Sequence, residues 1–480
     1  MRQLVWFQRD LRLNDHAPIH YALATEHPCL FAYFHDPQLT QGEANQAWLA
    51  VSLEKLQQSL KSKGADLLIS DGSFKTRFND VLNRYQITEV LYHFEQGEPY
   101  YTLQQQALEV CKQLKVKLTP FDQAWLSPES ILTQQGKPYG VYTPFSKKVF
   151  SLLDEVPKAE GVANWSNLKT IDLESDDANI PASLVRIKNT HWAKRILSHW
   201  QMGEQAAWQQ ANNFLTDSIH HYSKQRDFPS IMGTSQLSIH LHFGEISSVA
   251  LLEACRNAIT SRPADSEAIH AFIRQLIWRE FARYLLFFNP DLQTQAYQAK
   301  FNQLSWPAPD ERGTAWQTGH TGVPIIDAGM RQLWQTGWMH NRVRMLVASW
   351  LTKNLNQHWL VGQQWFEHTL LDADIANNVM GWQWVAGCGV DAAPYFRLFN
   401  PVVQSEKFDP LGHYIRKWVP ELAPLPNHLI HAPWEAASII KLQFPALAAQ
   451  YPLHDPNLKK SRLDHQQRVQ TLKMMTLDNE

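Results

Sequence analysis

At 480 residues the chain exceeds the size at which a single hydrophobic core stops growing, so two domains are expected. Hydrophobic residues at 44% and charged residues at 19% suit a large buried interior, and no apolar run is long enough to span a membrane. A formal net charge of -2 excludes a whole-molecule field that gathers polyanions, so a nucleic-acid partner requires a local basic patch.

The first elements alternate in type. Apolar runs at 3–8, 28–35, 66–70 and 89–94 read as strands, and helical patterns at 16–25, 43–63, 75–85 and 98–115 separate and follow them. This is the βαβ pattern of an α/β domain over 1–130, with a parallel, Rossmann-like sheet whose ligands sit beyond the carboxyl ends of the strands. No GxGxxG follows the first strand, so a dinucleotide is not predicted there. Over 131–205 periodicity weakens and Ser, Asp, Asn and Pro accumulate, which predicts an interdomain linker with a surface loop at Asp172–Pro181. From 206 to 480 the pattern is helical, giving a larger all-α domain in which Phe272–Phe288 and Thr321–Trp359 are the strongest stretches.

Several segments of that domain carry more polar chemistry than a core needs. Gly233-Thr234-Ser235-Gln236-Leu237-Ser238 crowds hydroxyls and helix-start amides into one turn able to hold a phosphate, although an ordinary N-cap is the commoner reason for such residues. Gln275, Trp278, Arg279 and Glu280 lie in an otherwise apolar run, where a buried Trp beside an Arg–Glu pair is a sufficient explanation. Over 338–345 helical spacing puts Trp338, Asn341 and Met345 on one face, with Arg342 and Arg344 pointing elsewhere. In Asp372-Ala373-Asp374 through Trp384, Asp372 can pair with Arg344, and Asn378 shares a face with Trp382 while Trp384 turns away. Four dispersed cysteines without CxxC spacing (Cys29, Cys111, Cys255, Cys388) point to a reducing, cytoplasmic setting and to no metal site.

Taken together, these segments and the opening Val5-Trp-Phe-Gln-Arg-Asp-Leu-Arg-Leu-Asn-Asp15 resemble the photolyase/cryptochrome family from about residue 3 to 470. The resemblance implies non-covalent FAD in the helical domain, contacted by Tyr222, Thr234, Ser235, Gln236, Leu237, Ser238, Arg279, Asn341, Arg344, Asp372, Ala373, Asp374 and Asn378. Gln236 departs from the Arg usual there, and Val379 and Met380 from smaller residues. It implies base stacking on Trp278 and Trp384, a tryptophan electron relay of Trp306, Trp359 and Trp382, and DNA contacts from Arg226, Arg342, Met345, Arg397 and Gln404. Gln275 stands where dimer-splitting members carry Glu; it can donate to a pyrimidine carbonyl without titrating.

Photolyases of the (6-4) photoproduct have His at the positions of Asn341 and Met345, so the resemblance favours repair of cyclobutane pyrimidine dimers in ultraviolet-damaged DNA. Excited reduced flavin would donate an electron to a flipped-out dimer, since an enzyme that does chemistry on a base must take it out of the stack. The likeness also implies an antenna chromophore in the first domain, with a reduced folate favoured on Glu98 although Gln293-Thr294 replaces the Cys-Lys pair of some folate-binding members; a deazaflavin or an empty pocket are the alternatives. A monomer without membrane association is expected. The alternatives are a cryptochrome photoreceptor, against which the lack of a long tail after Leu477-Asp-Asn-Glu480 argues, a (6-4) photolyase, and, from another class, a flavin-free DNA-binding module.

Overall fold

The computed structural model describes residues 1–39, 42–174 and 177–477. Ser175 and Asp176 of the expected Asp172–Pro181 loop, and Asp478–Glu480 at the chain end, lie outside the described residues. Five parallel strands, β1 (Gln3–Phe7), β2 (Cys29–His35), β3 (Leu67–Asp71), β4 (Glu89–His93) and β5 (Lys117–Phe121), form one sheet in the order β3-β2-β1-β4-β5. Helices α1 (Ala17–Thr25), α2 (Glu43–Lys61), α3 (Phe74–Arg84) and α4 (Tyr100–Leu114) connect them. β1 is central, pairing Gln3 with Cys29 on one side and with Glu89 on the other. Both β1 and β4 are buried along their whole length, as strands covered on two faces must be. Trp6 anchors one face, stacked between Phe74 and Tyr92 at centroid distances of 5.0 and 5.3 Å. β5 is the one strand absent from the sequence reading; it is a partly exposed edge whose Pro120 breaks the apolar signal and is tolerated only at a sheet margin.

No strand follows β5 among the described residues, and the chain continues as helices and turns. The 131–205 stretch itself carries the helices Tyr142–Ser151, Ala182–Lys188 and His191–Leu197. The chain divides into two compact units: residues 1–220 with 235–290, and residues 221–234 with 291–480. The helix Ser266–Phe288 therefore belongs with the sheet, whereas the helices from Glu311–Thr318 onward build the second unit. The second core gathers Trp316, Trp350, Trp359, Phe366, Trp382 and Tyr414, which accounts for many of the tryptophans as packing. No helix among the described residues is long and apolar enough to cross a membrane.

Candidate functional site

The second unit holds most of the residues singled out from the sequence, and its local architecture corrects one of those readings. Thr321–Trp359 is not one helical stretch. The helix Pro324–Thr336 ends at Gly337, whose φ of 67° is the left-handed conformation that a glycine adopts without strain. The next helix, Asn341–Ser349, starts only after His340, whose Nδ1 accepts the Arg342 amide at 3.1 Å. Trp338 thus precedes the helix, buried in the connection with its ring edge-on to His340 at 6.3 Å, and does not share a helical face with Asn341 and Met345. Asn341 and Met345 do stand one turn apart on that helix. A π-helical turn, Trp350–Asn354, follows, and a break capped by His358 precedes the helix Trp359–Thr369.

Arg344 pairs with Asp372, as the sequence suggested. Its Nη2 lies 2.9 and 2.8 Å from the two carboxylate oxygens, and its Nε donates to the Met339 carbonyl at 2.8 Å. The guanidinium plane is thereby fixed over a buried carboxylate. Asp374 caps the helix Ile375–Ala386, accepting from the Asn377 backbone and side-chain nitrogens at 3.0 and 2.7 Å, with Ala373 buried beside it. Asn378 Nδ2 donates to the Gln363 carbonyl at 3.1 Å, which leaves its Oδ1 to accept elsewhere. Gln363 Oε1 is buried without a hydrogen-bond partner. Val379 is buried and Met380 half-buried; Gly381 has open space where a Cβ would stand, three residues before the half-buried Trp384.

Trp382 is buried against Phe366 at 5.0 Å and Trp316 at 6.1 Å, both nearly edge-on. Trp359 is buried and Trp306 half-buried, and the His358 ring lies against both, at 5.1 Å from Trp306 and 5.5 Å from Trp359. The indole nitrogens of Trp306 and Trp382 are buried without hydrogen-bond partners. Burial pushes the His340 imidazole down to about 4, so at neutral pH it is an uncharged cap and no acid.

The basic residues are already engaged. Arg342 pairs with Asp227 at 2.8 Å and lies 4.3 Å over the Phe408 ring, and Arg226 lies 5.4 Å over the buried Tyr222. Arg397 lies 5.3 Å over Phe399, and its carbonyl accepts from Lys353 Nζ at 2.7 Å. Gln404 is half-buried on the helix Pro401–Phe408, which Asn400 caps. Thr234 is half-buried in the same unit.

In the first unit, Ser235 accepts from Gln210 Nε2 through its carbonyl at 2.9 Å, and Gln236 has a φ of 53°. Leu237 rather than a hydroxyl residue stands at the cap of the short helix Ser238–His242. On the helix Ser266–Phe288, Arg279 pairs with Glu280 at 3.0 Å, Gln275 donates to the Ala271 carbonyl at 3.2 Å, and Trp278 stacks on Tyr142. A separate cleft opens beyond the carboxyl ends of β1 and β2, lined among others by Arg9, Tyr33, His35, Asn45 and Tyr100. Pro99 also lines it, next in the chain to Glu98, which accepts from Thr102 Oγ1 at 2.7 Å.

One cluster has the composition of a metal site. Asp10 Oδ2 lies 2.9 Å from His16 Nε2 and 2.7 Å from His93 Nδ1, all buried. His16 Nδ1 already accepts the Ile19 amide at 3.4 Å, so its Nε2 carries the proton and faces the Asp10 carboxylate without hydrogen-bond geometry. A hydrogen bond from His93 and the close approach of the protonated His16 nitrogen thus account for the arrangement. Burial raises the Asp10 pKa, but the two imidazoles outweigh it and hold the carboxyl below its usual range.

Sequence reasoning missed Tyr142, Asp227, His358 and the Gln363 carbonyl. Only Asp227 had a local signal, its place beside Arg226.

The comparisons with known proteins agree on one family. The DNA photolyase model matches residues 3–161, and the model for the FAD binding domain of DNA photolyase matches residues 272–471. The deoxyribodipyrimidine photo-lyase of Agrobacterium fabrum is 36% identical over 475 residues, 94% of each chain. The crystal structure of a bacterial class III photolyase from Agrobacterium tumefaciens matches with a TM-score of 0.90 at 34% identity, covering 98% of both chains. A Synechocystis cryptochrome matches with a TM-score of 0.87 at 26% identity, covering 97% of this chain and 99% of the other.

Proposed function

This chain belongs to the DNA photolyase family, and we propose that the lesion it repairs is the cyclobutane pyrimidine dimer. Its activity is that of a deoxyribodipyrimidine photo-lyase: light-dependent repair of DNA, with FAD as cofactor. The observation that carries the choice of lesion is the pair Asn341 and Met345, one turn apart on one helix and both unable to titrate. The nearby His340 is buried, capping and neutral, so this helix offers no acid of the kind the (6-4) lesion requires.

The polar groups of the second unit fit an isoalloxazine ring. The fit rests on the Asn378 amide, tethered on its nitrogen with its oxygen left over, beside the unpartnered Gln363 Oε1, and on the fixed Arg344–Asp372 pair. FAD held by these residues would, in its reduced and light-excited form, supply the electron for opening the cyclobutane ring. Asn378 would accept the N5 hydrogen of reduced flavin without adding charge. Tyr222, Thr234, Asn341, Arg344, Asp372, Ala373 and Asp374 are the further contacts proposed in the second unit; the family pattern also assigns Ser235, Gln236, Leu237, Ser238 and Arg279 in the first. Trp382, Trp359 and Trp306 would relay electrons from the surface, with Trp382 and Trp359 shielded from water by the core.

Trp278 and Trp384 would stack the flipped bases, each contributing ~1–3 kcal/mol. Gln275 would donate to a pyrimidine carbonyl, and Met345 would touch the lesion. Arg226, Arg342, Arg397 and Gln404 would hold the DNA strand. The cleft beyond β1 and β2, at the carboxyl ends of the strands where ligands of such sheets sit, is proposed for the antenna, with a reduced folate as its occupant. We propose a cytoplasmic monomer.

Illumination of the reduced protein with a dimer-containing oligonucleotide tests the reading, with loss of the lesion as the expected result. An intact dimer after adequate light turns the assignment to the second reading, a blue-light photoreceptor, which the likeness to a cryptochrome structure favours. Repair of a (6-4) oligonucleotide in place of the dimer would overturn the choice of lesion.

A further inference from the structure

Tyr142 lies flat on Trp278, with ring centroids 3.4 Å apart and planes 6° from parallel. Aromatic pairs left to themselves adopt offset or edge-on arrangements with wider centroid spacing, so full overlap is imposed by the surroundings. The Tyr142 hydroxyl donates to the Arg274 carbonyl at 2.9 Å, one turn before Trp278 on the helix Ser266–Phe288. Phe281 meets both rings edge-on, at 5.7 Å from Tyr142 and 6.0 Å from Trp278, and Phe145 backs Phe281 at 4.8 Å. Tyr142 is only 9% exposed, whereas Trp278 keeps part of its surface open. An indole has two faces, and a fixed phenol ring covers one of them.

We propose that Tyr142 is a positioning residue for lesion recognition, backing Trp278 so that its remaining face is held ready for a flipped pyrimidine. This rests on the reading of Trp278 as a stacking platform. A ring ordered before binding does not lose rotamer freedom at the moment of binding, so the stack raises affinity for an extruded base without touching it. Undamaged DNA, whose bases stay in the duplex, gains nothing from it. Tyr142 does not serve as a placeholder that swings out for the lesion: leaving would break its tether to Arg274 and expose a ring that Phe281 now covers.

The test compares wild type, Y142F, Y142L and W278A as full-length, flavin-loaded proteins, measuring dark binding to dimer-containing and undamaged oligonucleotides. Y142L is expected to weaken dimer binding by about two- to tenfold, with flavin content and undamaged-DNA binding unchanged. Y142F keeps the stack and loses only the tether, so it should recover most of the discrimination between the two oligonucleotides. W278A should lose more than Y142L. If W278A loses dimer affinity and Y142L does not, Tyr142 has no positioning role. If W278A binds the dimer like wild type, the stacking platform itself is wrongly assigned and the inference falls with it. Should Y142L fail to hold flavin, Y142W decides: discrimination kept by another flat ring supports the proposal, and discrimination lost despite bound flavin overturns it.

Discussion

Gly362 shows how a single hydrogen atom in place of a methyl group sets the position of the proposed relay. A Cβ at Gly362 would stand 2.0 Å from Trp382 Cη2 and 2.4 Å from its Cζ3, so the indole rests directly on the helix Trp359–Thr369. Alanine favours helix over glycine by up to ~1 kcal/mol, but here the clash with a buried ring dominates. Gly362→Ala should destabilise the protein by ~1–3 kcal/mol, the usual cost of overpacking, and slow light-driven reduction of the flavin because Trp382 must shift. Photoreduction at the wild-type rate would remove Trp382 from the relay or show that it moves without consequence. Arg342 is the second case. Its ion pair with Asp227 at 2.8 Å already neutralises part of the charge a phosphate would use. Arg342→Gln should weaken binding to all DNA and lower the slope of log affinity against log salt by about 1. Asp227→Asn should strengthen non-specific binding and steepen that slope; an unchanged slope in both variants would show that this arginine meets no phosphate.

Elements built from local signals were legible in the sequence, and those built from distant contacts were not. The strands β1 to β4 and the helices α1 to α4 follow from alternating short apolar runs and longer periodic ones, and their observed bounds fall close to the expected ones. β5 escaped because an edge strand with a proline has neither continuous apolar character nor alternation. The break at Trp338 escaped because a histidine supplies the cap that Ser, Thr, Asp or Asn usually provides, inside a sequence whose spacing otherwise fits a continuing helix. Gly337 was its one visible mark. The Arg344–Asp372 pair joins residues 28 apart and was foreseen, whereas Asp227 lies 115 residues from Arg342 and Tyr142 still further from Trp278, beyond the reach of any periodicity. Lys353 belongs to the same class: fully buried in the π-helical turn, it reaches the carbonyl of Arg397 and so ties the 391–400 loop to the core.

Across the whole molecule, the nearly balanced charge hides a set of buried basic groups whose protonation burial opposes, and these shape its response to pH. Burial pushes His93 down to about 3, and His340 and His465 down to about 4, against an ordinary value of 6.5. At a pH between the two values the unfolded chain binds protons that the folded chain refuses, so stability is present above 6.5 and is lost as pH falls toward 4. Lys353, held at about 7 by burial against an ordinary 10.5, has the same sign in a higher window, adding stability as pH rises from 7 to 10.5. Cys388, Arg397 and His465 face it, and none carries a negative charge that would offset the burial of an ammonium group. For His340 the shift corresponds to a contribution on the order of 3 kcal/mol over its window, and protonation would also remove the acceptor that caps Asn341–Ser349. Urea unfolding should therefore show stability falling between pH 7 and pH 5 in the wild type. His340→Asn, which caps without titrating, should make that fall shallower while retaining bound flavin. An identical fall in the variant would place the acid sensitivity in the other buried histidines, and a flat profile in the wild type would mean that these imidazoles are protonated in the folded chain.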